Sequence, residues 1–442
     1  MLFWVCLALF GCGAAPAVAA VGLRPEAIPL SALFSALMCS AAGIAALMFA
    51  GPVLPLAVAI VLAANGAALT ALRRRRPGGQ TAGVVAGLVT IAVAAVPLAA
   101  LRRPVVDWDA RSIWSFHGRW FYAGGDYLRE ALDNPAFVFS HTDYPPAVPA
   151  TMGVLWRLGG GIDPWVGQVA TGLLNFSAVA LVGLAVAGLG SHRRPALRCL
   201  TGGLAVLAVY GSAMEYAANG YVDLLWAAGV AAGAVYLLAA PWSSRNLVLG
   251  VTALLLAGLT KNEGTLVALV VLGLAALRHR TRGARLAPLG ASAAVLLAWV
   301  GVARLFGAES DLSDSALDAL AGRLEVGPRF GPIVEAFGRQ TALFLVVGVA
   351  VTAAGWLFLR SVRDGMPLGS TFWTWTAAAG TAAILGAAYL VSPHEIRWHL
   401  ATSVERTTIG LKLLILVEVL CWAAVSLEHL FGRTLVPATA DD

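Results

Sequence analysis

Apolar stretches of roughly 17 to 25 residues alternate with short polar links along almost the whole chain. This is the pattern of helices that each cross a hydrocarbon core about 30 Å thick. Thirteen spans are expected, at about 1–22, 28–50, 52–71, 81–101, 164–189, 198–217, 221–240, 246–260, 264–278, 286–306, 341–359, 371–391 and 408–428. Three polar connections are longer than the rest, 102–146, 307–340 and 393–407. The first reads as amphipathic: Trp108, Ile113, Trp114, Phe116, Trp120, Phe121 and Tyr122 alternate with Arg111, His117 and Arg119. Aromatics at helical spacing beside basic residues predict a helix lying in the membrane interface. The paired Pro145-Pro146 end that loop. The stretch 147–158, too short to cross and carrying Arg157, reads as a second interfacial or re-entrant helix.

Composition sharpens this into an all-α polytopic membrane protein. With 59% hydrophobic and 12% charged residues among 442, the chain has too little polar surface to cover a soluble globule. Arginine is concentrated in four short links: Arg73 to Arg76, His192-Arg193-Arg194 with Arg198, Arg278 to Arg285, and Arg360 with Arg363. All four fall on one side of the expected topology, and the three long connections fall on the other. Because basic links stay cytoplasmic, this places the long loops on the extracytoplasmic side of the membrane. The same bias accounts for much of the net charge of +6, so no nucleic-acid partner is expected. Cys6, Cys12, Cys39, Cys199 and Cys421 lie within or beside apolar spans without metal-type spacing, so neither disulfides nor zinc are implied. The first twenty residues lack a basic start and read as a retained helix. The expected organisation is an N-terminal helical segment 1–80, a main membrane module 81–430 and a short cytoplasmic tail 431–442.

The candidate chemistry sits on the outer side. Asp107 and Asp109 open the first long loop; two apart on an extended segment they would point the same way and could share a divalent metal or divide the work of base and support. A lone DxD also occurs as solvated loop carboxylates. His141, Asp143 and Tyr144 close that loop, and Glu215 and Asp223 flank the short turn MEYAANGYVD. Lys261, one of two lysines in the chain, and Glu263 lie in TKNEG; an outward-snorkelling ion pair is the plain alternative there. Segment 393–407 concentrates His394, Glu395, Arg397, His399, Glu405 and Arg406, a set of donors suited to an anion and also to an interfacial turn with salt bridges. Glu418, inside the last span, has no assigned role.

Taken in order, WDARSIW, HTDYPPAVP, NGYVDL, LTKNEG and WHLATSVER resemble motifs of bacterial members of the GT-C glycosyltransferase superfamily over residues 100–410. Aminoarabinose transferases and protein O-mannosyltransferases are more distant relatives. In that family the acidic loop usually follows the first helix, so the first three spans here lack a counterpart. The resemblance implies a helical bundle with interfacial helices in the first outer loop, and inverting transfer of a sugar from a polyprenyl-phosphate donor to a lipid or glycan acceptor of the cell envelope. It further implies Asp109 as general base with Asp107 in support; Lys261 and Arg406, with His399 and Arg397, at the donor phosphate; and His141, Asp143, Tyr144, Glu215, Asp223 and Glu263 around the acceptor or sugar. Some members need a divalent metal, for which Asp107 and Asp109 would be the candidates here. A transporter of lipid-linked saccharides, or a scaffold that lost its activity, would fit the same composition; a transporter would place ionisable groups near mid-membrane.

Overall fold

A computed structural model describes residues 2–73, 83–101, 105, 107–189, 194–310, 318, 321–322, 325–358 and 368–432. Every regular element among them is helical. Among the described residues seven helices are long and apolar enough to cross a membrane, or eight if a bent N-terminal pair counts as one span. The expected thirteen spans are not confirmed among the described residues. The stretches around 84–100, 223–239 and 244–258 form shorter apolar helices, and 264–278 lies within a 17-residue helix, Asn262–Arg278. Residues 1–22, expected as one span, form α1 (Leu2–Cys12) and α2 (Ala14–Val21), bent by 44°. Gly13 stands at the break, where a β-carbon would come within 1.9 Å of the Ser31 carbonyl oxygen. Only a residue without a side chain lets the break approach the helix that carries Ser31.

The middle of the bundle is α9 (Pro164–Ala187) and α11 (Asp223–Ala234), with α12 (Ser244–Gly258) packed on α11. Helix α9 is largely apolar and buried from Val166 to Ala187, as expected of a helix surrounded by others rather than by lipid. One core runs from Val5 to Ala424. It includes α3 (Ala27–Phe49), which packs on both α9 and α8 (Ala147–Leu158), so the N-terminal helices are part of the bundle.

The two ends of the bundle differ in chemistry. At one end Glu26 pairs with Arg245, His279 meets the Leu237 carbonyl at 3.1 Å, and Arg198 donates to the Ala187 carbonyl at 3.3 Å. The described members of the basic links, Arg73, Arg194, Arg198 and Arg278 to Arg285, belong to this end; Arg74 to Arg76, His192, Arg193, Arg360 and Arg363 lie outside the described residues, as does the tail 433–442. The opposite end carries the long connections. There the first loop becomes a helix over residues 108–123, ending in α6 (Ser115–Ala123), followed by α7 (Gly125–Leu132). Its buried face, with Ile113, Trp114, His117, Trp120 and Phe121, packs on α8, while Trp108 and the Arg111 and Arg119 positions are exposed. Arg129 of α7 donates to the carbonyls of Leu47 and Met48 at 2.8 and 2.7 Å, fixing the loop to the end of α3. Residues 147–158 form a 12-residue helix, as the sequence predicts, buried over most of its length. Segment 393–407, read as a connection, is helical from Ile396 to Thr407; Glu395 caps it by accepting from the backbone N–H groups of Arg397 and Trp398 at 2.9 and 2.7 Å.

Candidate site at the loop end of the bundle

Four chain segments meet beside α11 and bring three carboxylates and two cations into one line. Asp223, first residue of α11, has a side chain only 1% exposed and accepts from Lys261 Nζ at 2.9 Å. Lys261, the N-cap of helix Asn262–Arg278, also meets Glu263 at 3.3 Å. On the other side of Asp223, Arg406 lies 4.0 Å away, and its guanidinium donates to Asp109. The order across the site is Asp109, Arg406, Asp223, Lys261, Glu263. Residues 297 positions apart in sequence are therefore in direct contact.

Aromatic rings wall this line. Arg406 stands 5.0 Å over the ring of Tyr221, and Lys261 5.9 Å from that of Tyr144. Tyr144 is stacked between Trp114, at 5.4 Å, and His141, at 4.8 Å. His141 adopts φ of +58°, a left-handed conformation uncommon outside glycine, held by hydrogen bonds from its N–H to Val138 and from the Tyr144 N–H to its carbonyl. Asp143 accepts from Asn262 Nδ2 at 2.7 Å, and its carbonyl accepts from Trp299 Nε1 at 3.0 Å, which ties the loop to the turn holding Lys261.

Electrostatics keep Lys261 charged and Tyr221 neutral. Burial opposes a charge on Lys261, but Asp223 and then Glu263 override it and hold its pKa well above the ordinary lysine value. Burial raises Tyr221, and the Asp109 carboxylate raises it further, so its hydroxyl stays protonated beside Arg406. Asp223 Oδ2 and Glu263 Oε2 are buried without a hydrogen-bond partner within the protein. Such oxygens are costly to bury. They are places where a hydroxyl or water could donate.

Each sequence candidate can now be placed. Asp109, Asp223, Lys261, Glu263, Arg406 and Tyr144 converge; Asp143 and His141 support them from the loop. The expected extended geometry of the acidic pair is corrected: Asp109 is helical, at φ −63° and ψ −35°, and the Arg111 N–H bonds to the Asp107 carbonyl. Two residues apart on a helix do not face each other. Only Asp109 reaches Arg406, while Asp107 is half-buried at the helix start. Among the described residues no group of three or more His, Cys, Asp or Glu side chains is arranged to hold a metal ion. Arg397 is exposed at the far end of its helix from Arg406, and Glu215 is exposed on a short helical turn, Met214–Tyr216. His399 lies against Ser392, at 2.7 Å from Nδ1 to Oγ, and against the Tyr389 ring, beside the site rather than in the charged line.

Sequence reasoning missed the residues that hold the 214–222 turn. Gln168 Nε2 donates to the Ala218 carbonyl at 2.7 Å, and Asn175 Nδ2 donates to the carbonyls of Tyr216, Ala217 and Tyr221 at 3.0 to 3.2 Å. Two amides seven residues apart in an otherwise apolar span were the available signal, since that spacing puts both on one helix face. Gly220, at φ +91°, completes the turn; a β-carbon there would come within 2.8 Å of that of Ala110, next to Asp109. No protein-family model, curated protein or solved structure matches the chain.

Proposed function

We propose that this protein is an inverting glycosyltransferase that moves a sugar from a polyprenyl-phosphate donor to a lipid or glycan acceptor at the outer face of a bacterial cytoplasmic membrane. The observation that carries the reading is the contact between Asp109, on the interfacial helix, and Arg406, which together with Lys261 forms a pair of fixed cations organised by buried Asp223. A membrane-anchored donor presents its phosphate at the interface, and helix 108–123, its aromatic face packed on α8 and Trp108 and the Arg111 and Arg119 positions exposed, would meet it there. Cations already in place stabilise the negative charge that gathers on the phosphate as its bond to the sugar breaks.

In this mechanism the acceptor hydroxyl oxygen attacks the anomeric carbon from the face opposite the phosphate. The bond between that carbon and the phosphate oxygen breaks, and its electron pair leaves with the polyprenyl phosphate. Asp109 takes the acceptor proton. Arg406 and Lys261 hold the departing phosphate, and Glu263, Tyr144 and Asp143, grouped around Lys261 and Asn262, meet the sugar hydroxyls. The position of the charged line at helix ends, with Asp223 the first residue of its helix and Lys261 the N-cap of the next, favours this reading over transport through mid-membrane.

The test is transfer by purified protein in lipid from a panel of labelled polyprenyl-phosphate sugars to envelope lipid extract. The product is expected to have the anomeric configuration opposite to that of the donor. Retention of configuration, or movement of intact donor across the bilayer without transfer, would remove the proposal.

A further inference from the structure

Arg406 is the hinge of the charged line, because the same Nη1 nitrogen faces Asp109 and Asp223. Its two partners are held very differently. Asp223 has a side chain 1% exposed, begins the buried helix α11 and also anchors Lys261, so it cannot leave without stranding a buried lysine. Asp109 is 12% exposed, in the first turn of the interfacial helix, one residue after exposed Trp108. Tyr221 covers one face of the guanidinium, which leaves its edge to whichever anion is present.

Three carboxylates already outnumber the two cations. An added phosphate would meet a site of like charge unless a carboxylate yields its place. We propose that the phosphate of the lipid donor displaces Asp109 from Arg406, so that the carboxylate which receives the acceptor proton is released only once the donor is seated. This rests on the donor reading above and adds an order of events to it. Arg406 stays paired throughout, first with a carboxylate and then with a phosphate, so the exchange avoids exposing a bare buried charge. Competition of this kind is reciprocal: the affinity lost to Asp109 in the resting protein returns when Asp109 is neutralised.

The test is binding of undecaprenyl phosphate to the full chain in phosphatidylcholine nanodiscs, compared among wild type, Asp109→Asn, Asp109→Ser and Arg406→Ala, each checked for an unchanged melting profile. Either Asp109 variant is expected to bind on the order of tenfold more tightly than wild type, and Arg406→Ala at least as much more weakly. If Arg406→Ala weakens binding while both Asp109 variants match wild type, displacement is overturned and the donor site stands. If neither wild type nor any variant binds, displacement and the donor site fall together. The use of two Asp109 variants keeps the comparison open if one of them does not fold.

Discussion

Asp223 shows at the scale of one residue how structure and chemistry share a group. Its carboxylate compensates two cations, so Asp223→Asn leaves Lys261 with Glu263 alone in a buried setting. Breaking a buried pair from one side costs about 3–5 kcal/mol. We expect Asp223→Asn to lower the melting temperature in detergent strongly, and the double substitution Asp223→Leu with Lys261→Met to recover much of that loss while transfer stays absent. Equal stability of Asp223→Asn and wild type would show that the pair is not compensated as the contacts indicate.

His117 offers a second test at this scale. It is 2% exposed, stacks on Trp120 at 4.0 Å and meets Ser140 Oγ at 3.0 Å. Burial first, and then the neighbouring His141, push its pKa from 6.5 down to about 3. Between those values the unfolded chain takes up a proton that the folded chain refuses, so stability falls as pH drops from about 6.5 toward 3 and is unaffected by this group above that range. His117→Gln should flatten the acid side of the melting temperature against pH. An unchanged acid slope would show that His117 does not contribute to it.

At the scale of elements, the turn between α10 (Pro195–Ala213) and α11 sets the geometry in which the Asp109 carboxylate meets Arg406. Gln168 and Asn175 hold this turn from α9, and Gly220 lets Ala110 approach, which sets Asp109 relative to Arg406. Gly220→Ala meets both an unfavourable positive φ and a clash, so we expect transfer to fall by tenfold or more with donor binding largely kept; a fully active variant would mean the turn does not position Asp109. Asn175→Leu removes three hydrogen bonds while fitting an apolar neighbourhood, and should reduce activity more than it reduces stability.

The parts of this arrangement legible in sequence were the locally encoded ones. The aromatic spacing of 108–123 and the shortness of 147–158 reported their own helices, because periodicity and length act within one segment. The partners of Asp109 were not legible in the same way: Arg406 was visible as a cation and Asp223 as an acid, but their contact depends on three-dimensional packing across 297 positions. The extended form expected for Asp107 to Asp109 failed because the helix begins before Asp109. A DxD pair looks the same in sequence whether its backbone is extended or helical.

At the scale of the whole molecule, two chemically different ends are joined by an apolar body whose cost of exposure to water fixes its place in a membrane. The described short basic links lie at one end, and the carboxylate–cation line gathers at the other. The bundle also explains why fewer helices than expected satisfy the length of a span. Short helices such as α11 and α12 are enclosed by neighbours, so they need not match the bilayer alone. The enclosed α11 then delivers Asp223, a residue that lipid would not tolerate, to the rim where the long loops meet.

The central claim is that Asp109 takes the acceptor proton. Its most direct test is the rate of sugar transfer in purified wild type, Asp109→Asn and Asp107→Asn, measured with saturating donor and with donor binding determined for each. We expect Asp109→Asn to lose roughly 10² to 10⁴ in rate while still binding donor, and Asp107→Asn to lose far less. Undiminished transfer by Asp109→Asn would contradict the account.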